Sequence, residues 1–416
     1  MSSEAAAEEV GSRAVAEPGP VSAGWIAALS LSMLGLWMGI FGPIQILIPR
    51  QVELITGHDG KTRGLAIVTA LASVAAIVGC PLGGALSDRT TSRFGRRRPW
   101  ILLGAVGCAI ALPLQALQHN LVGLGFCWMA VQGCINVMYA ALTALIPDQV
   151  PARQRGLVSA LVGIPAPLAL IIGTALASGV TTTTGYAVSA VLVLTLQLPF
   201  LLYGKDAQHP RPLDPQPFLR GFWISPREHP DFAWVCAGRF AMQLGNAVGT
   251  FYLYFYLQDV LHIAKPEKSV ATLIVVYTLA AVVVSVIVGR WSDRTGRRKP
   301  FVLGSSLVMA AAVVVFALGR DWTAALLAGA VLGMGYGTFL ALDNALITLV
   351  LPEARNAAGK DLGVINVANT AAQAISPVTA GAVVWLCGGS YTGLYFVTGG
   401  ILLAGAFLIR PVRSVR

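Results

Sequence analysis

Charge is what this chain has least of. Only 12% of its 416 residues are Asp, Glu, Lys or Arg, and its mean hydropathy is +0.71. A soluble domain carries about 25% charged residues to cover its water-facing surface. Half that supply excludes a string of soluble domains, and the apolar richness excludes intrinsic disorder. Of the six cysteines, Cys80, Cys108, Cys127, Cys134 and Cys236 fall inside apolar runs and Cys387 at the end of one, without metal-ligand spacing. That excludes a disulfide scaffold or a zinc motif. The five histidines (His58, His119, His209, His229, His262) lie in loops or at run ends, so no imidazole is available in the middle of a run. A phosphate-cradling Gly-x4-Gly-Lys-Ser/Thr loop is missing. So are paired carboxylates beside the runs, so neither ATP-driven pumping nor an enzyme is expected, and no cofactor or metal. Asn-x-Ser/Thr sequons are absent too, which fits a bacterial protein.

What is present is a series of apolar runs. Crossing a hydrocarbon core takes about 20 residues. Twelve runs qualify, at approximately 24–49, 65–86, 100–118, 121–146, 157–179, 185–203, 232–258, 270–289, 300–319, 323–351, 363–386 and 391–409. They show no period-2 alternation, so helices rather than barrel strands are expected. The fold class is an all-α membrane protein of twelve transmembrane helices in two pseudo-symmetric six-helix bundles. The acidic stretch before Trp25 (Glu4, Glu8, Glu9, Glu17) lacks the basic region of a cleaved signal, so the first span is expected to stay.

Twelve spans put both termini on one side. Of the 29 Lys and Arg, 22 fall on that side, six on the other (Arg50, Lys61, Arg63, Lys265, Lys268, Arg320), and Arg239 lies within a span. The positive-inside rule then predicts cytoplasmic termini and a multi-pass protein of the plasma (inner) membrane. The net charge of +10 is therefore an orientation signal, not a nucleic-acid footprint. The expected organisation is an N-terminal tail 1–23, a six-helix bundle 24–203, a Pro-rich linker 204–231, a second bundle 232–409 and a tail 410–416.

The halves echo each other. Gly84-Ala-Leu-Ser-Asp88-Arg89, with Arg93, Arg96, Arg97, Arg98 and Pro99, joins spans two and three. Gly289-Arg-Trp-Ser-Asp293-Arg294, with Gly296, Arg297, Arg298, Lys299 and Pro300, joins spans eight and nine. The motif resembles the second-to-third-loop signature of the major facilitator superfamily, here in both halves. In the first copy Thr90-Thr91-Ser92-Arg93-Phe94 separate Arg89 from Gly95. That longer loop, running on to Trp100, is similar to the sucrose–proton symporter and related glycoside carriers. Duplicated halves with a site at their interface are a transporter architecture. A carboxylate at the end of span two can face a helix N-terminus while the arginines pair with neighbouring acids. Such contacts, formed in one rocking state and lost in the other, would make Gly84, Asp88, Arg89, Arg93, Arg97, Gly289, Asp293, Arg294 and Arg297 a conformational latch.

Within the spans the sequence holds one acid, Asp343, and one base, Arg239. Each costs about 2.5–3.5 kcal/mol to insert at a helix centre. Arg239 lies eight residues after Asp231 and Asp343 eight before Leu351, each about 12 Å deep at ~1.5 Å per residue. They can meet at one level, as a coupling pair or as a structural ion pair. The superfamily resemblance implies a central cavity lined by spans one, four, seven and ten, and so places both residues on it. Gln243, Asn246 and Thr250 share a face with Arg239. Tyr336 and Asn344 accompany Asp343, and Asn366, Asn369 and Gln373 form a stripe on span eleven. The first half offers Gln45, and also Gln132, Asn136 and Tyr139. Uncharged amides, hydroxyls and aromatic faces suit a small polar organic solute.

Drug antiporters of the superfamily carry Gly-Pro in span five and an arginine in span four. Here span five reads Gly163-Ile-Pro165-Ala-Pro167, and span four has no arginine. The expected function is alternating-access, proton-linked secondary transport of a sugar or glycoside-like solute by a monomer in the lipid bilayer. An exporter of drug-like or amphipathic metabolites and a non-transporting membrane sensor or scaffold are the alternatives.

Overall fold

The structure is a computed structural model. It describes residues 19–204, 230–295, 299–350 and 358–412, the side chains at 81, 152, 293 and 343–370 excepted. Helices account for nearly all of it. The first half contains α1 (Ala23–Gly42), α2 (Ile48–Asp88), α3 (Arg98–Ala116), α4 (Leu121–Gln149), α5 (Ala152–Gly163), α6 (Pro165–Gly179) and α7 (Thr182–Tyr203). The second contains α8 (Pro230–Phe251), α9 (Leu253–Asp259), α10 (Pro266–Thr295), α11 (Lys299–Leu318), α12 (Trp322–Val350), α13 (Ala358–Leu386) and α14 (Tyr391–Ile409). Polar caps mark several starts: Ser22, Asn120, Thr181 and Ser390 accept from the backbone N–H three residues on.

These fourteen helices make twelve spans because two spans are split and one helix is folded back. Span one is α1, a π-helical turn at Pro43–Leu47 and the start of α2. Gly57, at φ 71° and ψ −177°, then reverses the chain into span two, a backbone conformation only glycine adopts freely. Span five is α5 and α6, meeting at Ile164 before Pro165. Span seven is α8 and α9, meeting at Tyr252 (φ −96°, ψ 17°). Exposed Leu103, Ile110, Val283 and Leu307 form part of an apolar exterior that suits lipid.

The packing repeats. Span two lies against span four and span eight against span ten. Spans one and six pair as do seven and twelve, and three and six as do nine and twelve. The halves meet where span two packs on span eleven and span five on span eight. Glycines set the closest approaches: a Cβ on Gly333 would lie 2.2 Å from the Tyr277 carbonyl oxygen, and one on Gly337 2.1 Å from that of Ala281. Small residues let helix backbones touch in this way inside a bilayer.

The apolar runs mark where the helices are, but not their ends. The run expected to stop at 49 continues as helix to Gly57, and span two begins beside Gly57 rather than at 65. Hydropathy stops at the first charges, whereas backbone hydrogen bonding does not. The expected linker lies largely outside the described residues.

Candidate functional site

α1 begins and α14 ends on the same face, the terminal face; the opposite, distal face carries Gly57 and the turns after α9 and α13. Between the halves lies a cavity of about 590 Å³. Gln45, Gln132, Asn136, Tyr139, Gln243, Asn246, Thr250, Tyr336 and Gln373 all line it, so the structure brings these nine expected residues together from both halves. Each broken span contributes its break: Ile44 and Gln45 from the π turn, Gly163, Ala166 and Pro167 from span five, and Phe251 and Leu253 from span seven. Interrupted helices are where transporters free backbone and side chains for a ligand, and π turns recur at functional sites.

The wall is aromatic and amide-rich. Trp37 stacks on Phe41 at 5.3 Å and meets Tyr139 edge-on at 5.7 Å; Tyr277 stacks on Tyr336 at 6.0 Å. Tyr277 donates to Asn246 Oδ1 at 3.1 Å. Asn136 Nδ2 donates to the Gln132 carbonyl at 2.8 Å. Gln132 Oε1 and Thr278 Oγ1 are buried at the wall without a protein partner. Buried polar atoms are nearly always satisfied, so these two are positions for a ligand or water to complete. No charged side chain lines the cavity among the described residues. Arg239 is buried in α8 but is not on the lining. The side chains of Asp343, Asn344, Asn366 and Asn369 lie outside the described residues, and with them the expected Arg239–Asp343 pair.

The distal end is closed by contacts between the halves. The Lys61 ammonium, with 2% of its side chain exposed, donates to Asp259 Oδ1 and Gln258 Oε1, both at 2.6 Å. Gln258 Nε2 donates to Glu53 at 2.7 Å. Arg50 donates through Nε and a terminal nitrogen to Glu267 at 3.1 and 2.7 Å, and to the Val180 carbonyl at 2.9 Å. Tyr252 donates to the Thr62 carbonyl at 3.1 Å, and nearer the cavity Ser73 donates to the Ala374 carbonyl. The hydrogen bonds and ion pairs between described residues of the two halves all lie on this face or at cavity level.

The family described as MFS/sugar transport protein matches residues 61–393. The chain belongs to that family. It is accordingly a major facilitator superfamily transporter, an integral multi-pass membrane protein and not an enzyme. It is 27% identical over 385 residues to an uncharacterized MFS-type transporter of Mycobacterium tuberculosis, covering 86% of each chain. Over 126 residues it is 32% identical to an uncharacterized symporter of Synechocystis sp., covering 26% of this chain and 23% of that one. The crystal structure of the nucleoside transporter NupG superposes with a TM-score of 0.73 at 14% identity, over 93% of this chain and 98% of that one. At that identity the likeness establishes the fold.

In this MFS transporter the repeated loop motif braces one half. Arg97, 3% exposed, pairs with Asp88 at 2.6 Å and Asp148 at 3.0 Å and donates to Ser87 at 2.5 Å. Arg96 pairs with Asp148 at 2.6 Å. Asp88 thus meets arginines of its own loop, and all these partners belong to the first half. Arg89 is exposed, and Arg93 sits 5.0 Å from the Phe94 ring. A Cβ on Gly84 would meet nothing within 4 Å, and one on Gly289 only Ala341 at 3.9 Å. Arg294 is exposed; the Asp293 side chain and Arg297 lie outside the described residues.

Sequence reasoning missed Trp37, Tyr277 and Thr278, and the whole distal lock. Gly42-Pro43 and Pro165-Ala-Pro167 were the available signal for two of the breaks. The lock's signal was weaker: opposite charges in the first and fourth distal loops, one loop from each half.

Proposed function

We propose that this transporter carries a small, uncharged polar solute of the sugar or glycoside kind, linked to protons. The observation that carries this reading is the cavity wall itself. Amides, hydroxyls and stacked rings serve sugar hydroxyls and ring faces, and the described lining offers no charge to an ionic solute. The long loop of the first motif and the partial likeness to a cyanobacterial symporter support the same direction. With the basic residues inside, the terminal face is cytoplasmic and the distal closure corresponds to an inward-facing state. Arg239 with Asp343 is the coupling pair in this reading, since no other acid lies within the apolar runs.

The test is uptake into proteoliposomes of a panel of neutral sugars, glycosides and amphipathic drug-like compounds, with and without an inside-alkaline gradient. A neutral sugar or glycoside is expected to accumulate with the gradient, and Asp343→Asn to abolish that accumulation. Gradient-driven movement of amphiphiles alone would establish the exporter instead. Accumulation unchanged in Asp343→Asn would remove the coupling role from this acid.

A further inference from the structure

The distal lock contains one titratable group that neither the cavity nor the motifs use. His58 follows the Gly57 reversal, and its side chain is 63% exposed. Its Nδ1 lies 3.2 Å from the Lys61 ammonium and 3.5 Å from Glu53 Oε1. Its Nε2 lies 3.3 Å from Asp259 Oδ1. Glu53, His58 and Lys61 belong to the first half, Asp259 to the second, so the ring sits across the seam. The other groups facing it are Gln258 beside Asp259 on α9 and Tyr391 of α14, which donates to Asp259 Oδ2 at 2.8 Å. Asp59 is exposed on the same turn. Arg50 and Glu267 are engaged with one another.

Counted by charge, the cluster is short of one cation: Glu53 and Asp259 face the single ammonium of Lys61. Two carboxylates sharing one cation in a half-buried seam repel each other. We infer that His58 is a proton-binding site on the distal face that holds the two halves together when it is charged. With the ring neutral, Nδ1 accepts from Lys61 and Nε2–H donates to Asp259. A proton taken from distal water onto Nδ1 turns both nitrogens into donors. Nδ1–H then points to Glu53, and the imidazolium bridges a carboxylate of each half. Lys61 loses one acceptor and keeps two, Asp259 and Gln258. Two cations now balance two acids. The charged ring therefore has a carboxylate of each half within reach only while the distal face is closed. By linkage, acid on the distal side favours closure, because only the closed face offers the charged ring both carboxylates. This inference needs the cluster and not the solute: it deepens the transport reading without depending on which substrate is carried.

The test measures conformation in the absence of any solute or gradient. Spin labels on Leu54→Cys and Lys268→Cys, in a background with the six native cysteines replaced, report the distal separation of the halves by electron double resonance in nanodiscs. Lowering the pH from about 8 to 5.5 is expected to reduce the separated fraction by about fivefold or more. His58→Gln, at an exposed position, is expected to keep a monodisperse protein and lose that pH dependence. Asp259→Asn is expected to separate the distal face at both pH values. Wild type insensitive to pH over this range, a separated fraction that grows on acidification, or His58→Gln responding as wild type does would each overturn the assignment. Because no transport is measured, a failed sugar assay leaves this result standing, and the reverse also holds.

Discussion

Two charged clusters flank the membrane in this protein, and they do opposite jobs with the same chemistry. On the terminal face Arg96 and Arg97 draw Asp88 and Asp148 together, and these described partners belong to the first half. On the distal face Lys61 and Arg50 reach Asp259 and Glu267 of the other half. The terminal cluster ties the ends of α2 and α4 into one body; the distal one ties two bodies to each other. The burial differs accordingly. Asp88 and Asp148 keep 47% and 29% of their side chains in water, so losing the arginine leaves solvated acids. Lys61 keeps 2%, so losing its acid leaves a cation in the seam. Alternating access needs rigid halves and a seam that can part, and the two clusters supply one each.

That contrast can be broken at its strongest point first. Asp259→Asn is expected to shift the conformational equilibrium toward distal separation by about 2 kcal/mol, roughly thirtyfold. This falls below the 3–5 kcal/mol of a fully buried pair because Glu53 still faces Lys61. Distance distributions across the distal face measure it, and the melting temperature should move little. Arg97→Gln should behave in the reverse way, costing about 1 kcal/mol of thermal stability with the distal distances unchanged. If Arg97→Gln instead separated or closed the distal face, the terminal cluster would be part of the seam and the contrast would fail. Gly84→Ala is the smallest change. Its Cβ meets open space, so stability should stay within about 0.5 kcal/mol of wild type, and any large loss of uptake would show that the motif's glycine serves motion rather than packing.

The repeated motif, the helices and nine wall residues were legible because each follows from a local rule. Apolar length marks a span, and a spacing of three or four marks a face, which is how Gln243 and Asn246 were placed together. Trp37 and Tyr277 were not legible because hydropathy scores a ring alike whether it faces lipid, core or cavity. Thr278 was hidden for a related reason: one hydroxyl in a helix normally bonds its own backbone, and only the packed structure shows that it does not. Lys61 was read as a loop charge because its partners, Gln258 and Asp259, are 197 and 198 residues away in the chain. The split at Tyr252 carries no proline to announce it.

The placement of Lys61 bears on speed as well as on balance. Its ammonium lies 2.6 Å from Asp259 across the seam and 3.7 Å from Glu53 in its own half. Asp259 likewise has the Tyr391 hydroxyl within its own half. As the seam parts, each charge can pass from a foreign partner to a resident one with about an ångström of travel. The costly moment of a bare ammonium in an apolar cleft never arises. A lock with a hand-over built into it lowers the barrier to parting without weakening the closed state, which is what a carrier cycling through both states requires.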